Sequence, residues 1–299
     1  MQFLKKLSKR LLALTLLAIT VGQALMPAEI AYARANDPAR FVLTLKEAFD
    51  QDIDQRQANL VFRTLSLFPE RFYKSLNNVT LYFQKNNRSP RGRANSQKIV
   101  LEAGKMSDPE MLAVLIHELG HVYDLGTAQG TRRAASSAFK FKNGEAVKSD
   151  DPSLKFYTLA WSSSTRYRGG IDRVNDFIST YGASSPFEDF GEAFVFYVLH
   201  GEEFVKRARS NEILKAKYKY LWEAFSGQRF AFGSNQAYPK TFFDATKLSY
   251  DFAKMLSYAD QQRRTLAREE NLRKRRQTRK RDQLRRLAQS RLRPLAIAP

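Results

Sequence analysis

The chain has no cysteine in 299 residues. That excludes disulfide scaffolds, thiolate nucleophiles and cysteine-ligated metal. Histidine is almost as scarce, with three in the whole sequence. Any site built on imidazole must therefore use most of them. Acidic residues are also in deficit, 30 against 50 Lys and Arg, for a formal charge of +20. Beyond the N-terminal segment no run reaches about 18 apolar residues, so the rest of the chain is expected to be soluble or peripheral to a membrane. What remains is 43% hydrophobic and 12% aromatic, too apolar for a disordered chain and long enough for a substantial core.

The excess charge is unevenly placed. Residues 261–299 hold 14 Lys and Arg against three acids, a net of +11. The first 35 residues contribute +4, which leaves +5 on residues 36–260. The central segment is thus only mildly basic, and nucleic acid is not indicated as its partner. Residues 1–35 read as an export signal. Lys5, Lys6, Lys9 and Arg10 precede an apolar run from Leu11 to Val21, and small-residue sites allow cleavage after Ala33 or Ala35. Export without disulfides fits a bacterial periplasmic or secreted protein. The basic segment 261–299 reads as a helical or disordered tail suited to an anionic envelope polymer or lipid head groups. It lacks the stacking aromatics that single-stranded nucleic acid requires.

Between these ends, helical apolar spacing runs through residues 38–76, with Phe41, Leu45 and Phe49, then Leu60, Phe62 and Leu65. Val79 to Gln84, after the turn signal Asn77-Asn78, and Lys98 to Leu101 favour strands. Residues 85–97, 126–153 and 162–170 read as loops, with Phe156 to Trp161 as an ordered patch. Residues 171–180, 187–200 and 211–225 read as helices. The expected architecture is a mostly helical α+β domain over 36–260, with a small sheet beside its central helix.

That helix is expected over 108–125. Ser107 and Glu110 have capping-box spacing, Pro109 sits in the first turn and Gly126 supplies a stop. It carries His117-Glu118-Leu119-Gly120-His121. Positions i and i+4 project on one face, so His117 and His121 can direct two ring nitrogens to one Zn²⁺, with Glu118 beside them as general base. The small Gly120 lets another element pack close. A catalytic zinc takes three protein ligands and keeps one position open. Thr127 stands where a third histidine of the metzincin pattern would be. His200, just before Gly201 at an expected helix end, reads as a solvated side chain rather than a ligand. The better candidate lies in Phe187-Glu-Asp-Phe-Gly-Glu-Ala-Phe194. Glu188 as third ligand completes a His₂Glu set, and Glu192, one turn on, can accept the second ring N–H of a ligand histidine. An amphipathic helix with two exposed acids is the alternative that composition leaves open.

Taken together, H-E-L-G-H, Tyr181-Gly182 and E-D-F-G-E-A-F resemble the gluzincin metallopeptidases of the anthrax lethal factor type and related secreted bacterial peptidases. The resemblance spans residues 75–225 and is specific at these three short motifs. It implies one Zn²⁺ per chain on His117, His121 and Glu188, a supporting role for Glu192, and a supporting acid at Asp124. It also implies Tyr181 as oxyanion donor and a zincin-like fold whose substrate is protein or peptide. The strand at 98–101 resembles the edge strand on which such enzymes hold an extended peptide. Gly191 departs from the family's usual Ala. The implied activity is exported, zinc-dependent endopeptidase; the competing reading is a non-catalytic envelope-associated zinc-binding protein acting through its basic tail.

Overall fold

The computed structural model describes residues 44–47 and 55–291, apart from 70–71, 73–78, 85–89, 105, 127, 170–173 and 236. The expected export signal lies outside these residues, as does the Asn77-Asn78 turn. Four strands form a mixed sheet: β1 (Thr44–Glu47), β2 (Thr80–Gln84), β3 (Gly92–Ala94) and β4 (Lys98–Glu102), in the order β1-β2-β4-β3. β1 and β4 flank β2 in parallel, whereas β3 runs antiparallel to β4. The pattern of β2 explains its place: Leu81 and Phe83 point into the core while their neighbours are half-exposed. In β4 the residues from Ile99 to Glu102 are all buried, as an internal strand covered on both faces must be. Lys98–Leu101 is therefore not the sheet edge. The outer strand is β3, which lies within the segment expected to be a loop.

Helix α1 (Gln55–Leu65) packs against the long α2 (Asp108–Gly126), which packs beside this sheet, on β3 and β4. α2 has the expected start, with Ser107 Oγ accepting from Glu110 N at 3.4 Å. Its residues from Met111 to Val122 are all buried, which makes it a central helix rather than an amphipathic surface one. The chain then forms a β5 (Ser136–Lys140) and β6 (Ala146–Lys148) hairpin, α3 (Leu154–Ala160), and a short β7 (Trp161–Ser163) and β8 (Arg166–Tyr167) pair. The hairpin and β8 fall in segments expected to be loops. Residues 171–180, expected to be helical, hold one 3-10 turn at Val174–Asp176 among the described residues. The helix expected over 38–76 is also divided. Thr44–Glu47 is a strand, because pairing with β2 outweighs the local helical spacing.

Helix α4 (Pro186–Leu199) starts at Ser185, whose side chain accepts from Glu188 N, with Pro186 in the first turn. α5 (Gly201–Ala208) follows after His200 alone, and α6 (Glu212–Ala224) is capped by Asn211. α2 and α4 form the most extensive helix contact in the protein. Gly120 permits it: a Cβ there would stand 3.0 Å from the Cβ of Phe194. The last helix, α7 (Phe252–Arg291), runs 40 residues without a break. Its first turns bury Met255, Leu256 and Ala259, and Asp260 takes a two-pronged bond from Arg63 of α1 at 2.9 and 2.7 Å. Beyond residue 261 it is largely exposed. The expected boundary at 260/261 thus falls inside one helix. Among the described residues no helix is long and apolar enough to cross a membrane.

A buried ion pair fixes α4 against α6. Lys217 Nζ lies 2.7 Å from Asp189 Oδ1 and 2.8 Å from the carbonyl of Asp176, and both charged side chains are fully buried. Trp161 Nε1 donates to the other carboxylate oxygen at 3.0 Å, and the ammonium sits 4.4 Å from the Phe177 ring centre. Removing one member of such a pair strands a charge in the core. Lys217→Met is expected to lower the free energy of unfolding by about 3–5 kcal/mol in chemical denaturation. A loss below about 1 kcal/mol is the value for a solvent-screened pair and rejects this role.

Candidate metal centre

The central helices bring three ligand atoms to one point. His117 Nε2 and His121 Nε2 from α2 are 3.1 Å apart, and Glu188 Oε2 from α4 is 3.3 Å from each. Tetrahedral coordination with bonds of about 2.0–2.1 Å places ligand atoms about 3.3–3.4 Å from one another. The observed triangle has nearly that size, and this group could hold a metal ion. It is the one such group of His and acidic side chains found among the described residues. The donor set, two imidazoles and a carboxylate, suits zinc chemically.

The surroundings orient these ligands. Glu192 lies one turn beyond Glu188 and is completely buried, not one of two exposed acids. Its Oε1 stands 3.0 Å from His117 Nδ1, an ion-pair contact without hydrogen-bond alignment, and this proximity favours the proton on that nitrogen and leaves Nε2 facing the cluster. The other oxygen accepts from Ser179 Oγ at 2.5 Å and from the backbone N–H of Ala245 at 2.7 Å. Burial disfavours charge on His117, but Glu188 and Glu192 override it and raise its pKa well above the usual value. Burial also opposes ionisation of Glu188, yet the two imidazoles hold its carboxyl well below the usual range. In the absence of a cation, then, the cluster draws a proton.

Gly191 faces both rings. A Cβ there would lie 2.8 Å from His117 Cε1 and 3.1 Å from His121 Cε1. Glycine here thus has a local reason: the helices are too close at this point for a methyl group.

Glu118 is 4% exposed, lines the same cleft, and its Oε2 has no hydrogen-bond partner among the described residues. Burial raises its pKa, with the imidazoles pulling the other way. A Cβ on Gly92 of β3 would collide with its carboxylate and come within 2.7 Å of Val114, so only glycine lets the edge strand approach this close. Tyr181 is half-buried at the start of the 3-10 turn Gly182–Ser184, with its ring centre 6.1 Å from that of His117. Burial and a bond to Glu188 keep its hydroxyl protonated. The cleft that these residues line encloses about 620 Å³.

Two sequence expectations take a different form. Asp124 does not hydrogen-bond a ligand histidine. Its Oδ2 accepts from Tyr157 at 2.5 Å, an arrangement invisible in the sequence because Tyr157 is 33 positions away. His200 is not solvated: it is fully buried, and its Nδ1 faces the Tyr238 hydroxyl at 2.9 Å. Burial pushes its pKa down to about 3, so it is a neutral core residue outside the metal cluster. Sequence reading also missed Ser179, Ala245 and Gly92. Ala245 contributes only its backbone, which no side-chain pattern can reveal, and Gly92 lies within the segment 85–97 that reads as a loop.

Comparisons with protein families, with curated proteins and with solved structures give no match. The chemistry of the centre therefore rests on its own atoms.

Two outcomes follow. Glu188→Ala is expected to abolish tight Zn²⁺ binding, Glu192→Gln to weaken it roughly 10–100-fold, and His200→Ala to leave it unchanged, as read by competition with a chromogenic chelator. A larger loss in His200→Ala than in Glu188→Ala reassigns the third ligand. The second concerns acidity. Burial raises the pKa of Asp124 to about 7, above its unfolded value, so the native state binds the extra proton between about pH 4 and pH 7. The stability that this proton confers is present at low pH and is lost as pH rises toward 7. Asp124→Asn should flatten this part of the stability profile in thermal unfolding of the metal-free chain; an unchanged slope removes Asp124 as its source.

Proposed function

We propose that the protein is a zinc-dependent endopeptidase. The observation that carries the proposal is Glu118, a buried carboxylate with an unpartnered oxygen. It opens into a cleft beside three converging ligand atoms. Glu102, Asp124 and Glu192 also carry such an oxygen, but of the four only Glu118 lines the cleft, the place where hydrolysis of an amide requires a base. This favours hydrolysis over a non-catalytic zinc-binding role.

His117, His121 and Glu188 would hold the ion, with Glu192 fixing the His117 ring. Bound Zn²⁺ supplies Lewis acidity, polarising the scissile carbonyl and lowering the pKa of water. Glu118 takes the proton of the attacking water and delivers it to the leaving amine, and its burial raises its proton affinity for that transfer. Tyr181, held as a phenol, donates to the carbonyl oxygen as negative charge develops there. β3 has one edge paired to β4 and lines the cleft with Gly92, Arg93 and Ala94. An extended substrate can add to its other edge through main-chain hydrogen bonds, the role assigned above to 98–101.

A buried HExxH helix beside a mixed sheet with an antiparallel edge strand supports the zincin-like reading of the α+β fold. Export, and contact of the basic α7 with an anionic envelope polymer or lipid head groups, belong to the same proposal.

The deciding experiment is digestion of an unbiased peptide library by the zinc-loaded chain and by its Glu118→Gln variant. The wild type should cleave. The variant should bind one zinc per chain and lose about 10²–10⁴-fold in rate. Equal rates would rule out Glu118 as the base.

A further inference from the structure

The β5–β6 hairpin takes no part in the chemistry above, yet it lines the cleft with Phe141, Lys142, Glu145 and Lys148. Arg132 joins them from the segment leading into it. Residues 131–148 hold five basic side chains and one acid, and three of the basic ones, Arg132, Lys142 and Lys148, line the cleft. The acids that follow are engaged with backbone. Asp150 accepts from the N–H and hydroxyl of Thr131 at 2.9 and 2.7 Å, and Asp151 accepts from Gly130 N at 3.2 Å and Ser153 N at 2.9 Å. Lys148 feels Asp150 electrostatically. Arg132 and Lys142 are exposed and pair with no carboxylate among the described residues.

The hairpin is anchored rather than loose. Phe139 and Val147 are buried, and the Phe139 ring packs 5.5 Å from that of Tyr157. Its turn is closed by Gly144 N to Phe141 O and Phe141 N to Glu145 O, each at 2.9 Å. Gly144, at φ 83°, adopts the left-handed conformation that glycine accepts without strain. The turn holds Phe141 inward, stacked on Phe187 at 5.5 Å, immediately before the ligand Glu188. The backbone that carries Lys142 and Lys148 is therefore held along the cleft that His117, His121 and Glu188 also line. Basic groups gathered on one wall of a cleft raise the local concentration of a ligand of the opposite sign.

We infer that the hairpin makes this cleft selective for acidic peptides, with Arg132, Lys142 and Lys148 reading Asp and Glu side chains beside an apolar residue that packs on Phe141 and Phe187. The inference rests on the peptidase reading for its ligand class, an extended peptide. The contacts are solvent-facing, so they act on encounter and affinity and weaken with salt.

The test uses two labelled peptides of one length and one apolar centre, flanked by Glu and Asp in one and by Lys and Arg in the other. Binding to the zinc-loaded Glu118→Gln chain is read by fluorescence anisotropy, and hydrolysis by the wild type as kcat and KM. The acidic peptide should bind roughly tenfold tighter at low salt, with the advantage in KM rather than kcat. The triple variant Arg132→Glu, Lys142→Glu, Lys148→Glu should reverse the preference at an unchanged Tm. Equal binding of the two peptides overturns the inference, as does a preference that survives the triple charge reversal. Tight binding of the acidic peptide with cleavage of neither peptide leaves the inference standing and overturns the peptidase reading instead.

Discussion

One buried carboxylate holds the centre of this protein together. Glu192 is reached from three separate parts of the chain: His117 on α2, Ser179 before the 3-10 turn, and the backbone of Ala245 far downstream. A buried carboxylate is costly without partners: here Oε2 accepts two hydrogen bonds and Oε1 faces the His117 ring at ion-pair distance, so all three segments are drawn to α4. The position of His117, and with it the triangle of ligand atoms, depends on that convergence.

α4 shows how much one helix can carry when its faces are assigned separately. Glu188 points to the His117–His121 pair, Asp189 to the Lys217 ammonium, and Glu192 to the imidazole of His117. Between them, Phe190, Phe194 and Phe196 fill the apolar core. Three acids on an otherwise hydrophobic helix would be costly to bury without partners. Here each has partners, with His117 serving both Glu188 and Glu192, and the helix cannot rotate without breaking all three arrangements. Gly120 and Gly191 are the complementary device, removing side chains where α2 and α4 meet.

The sequence made the centre legible because its signals are local. H-E-x-x-H and the two glutamates of α4 have helical spacing, and both helices carry their own caps, so residues, elements and boundaries could be read together. What stayed hidden depends on distant pairing. β3 is three residues long, too short for alternation to show, and becomes a strand only through β4. β1 has helical spacing overridden by a neighbour more than 30 positions away. Lys217 sits in a helix of alternating Lys and Tyr where nothing marks it as the buried lysine. The burial of His200 depends likewise on a distant residue, since Tyr238, 38 positions on, packs on its ring together with Phe196 of α4.

The unbroken course of α7 sets a geometry for anything that touches its far end. The 31 residues from 261 to 291 rise about 46 Å as a helix. A flexible linker of that length would occupy a broad cloud with an average span of about 30 Å. The helix replaces that distribution with a single spacing, and its root is clamped to α1 through Arg63 and Asp260. A surface gripping its tip would hold the cleft at a standoff, as a strut does, instead of reeling it in like a tether.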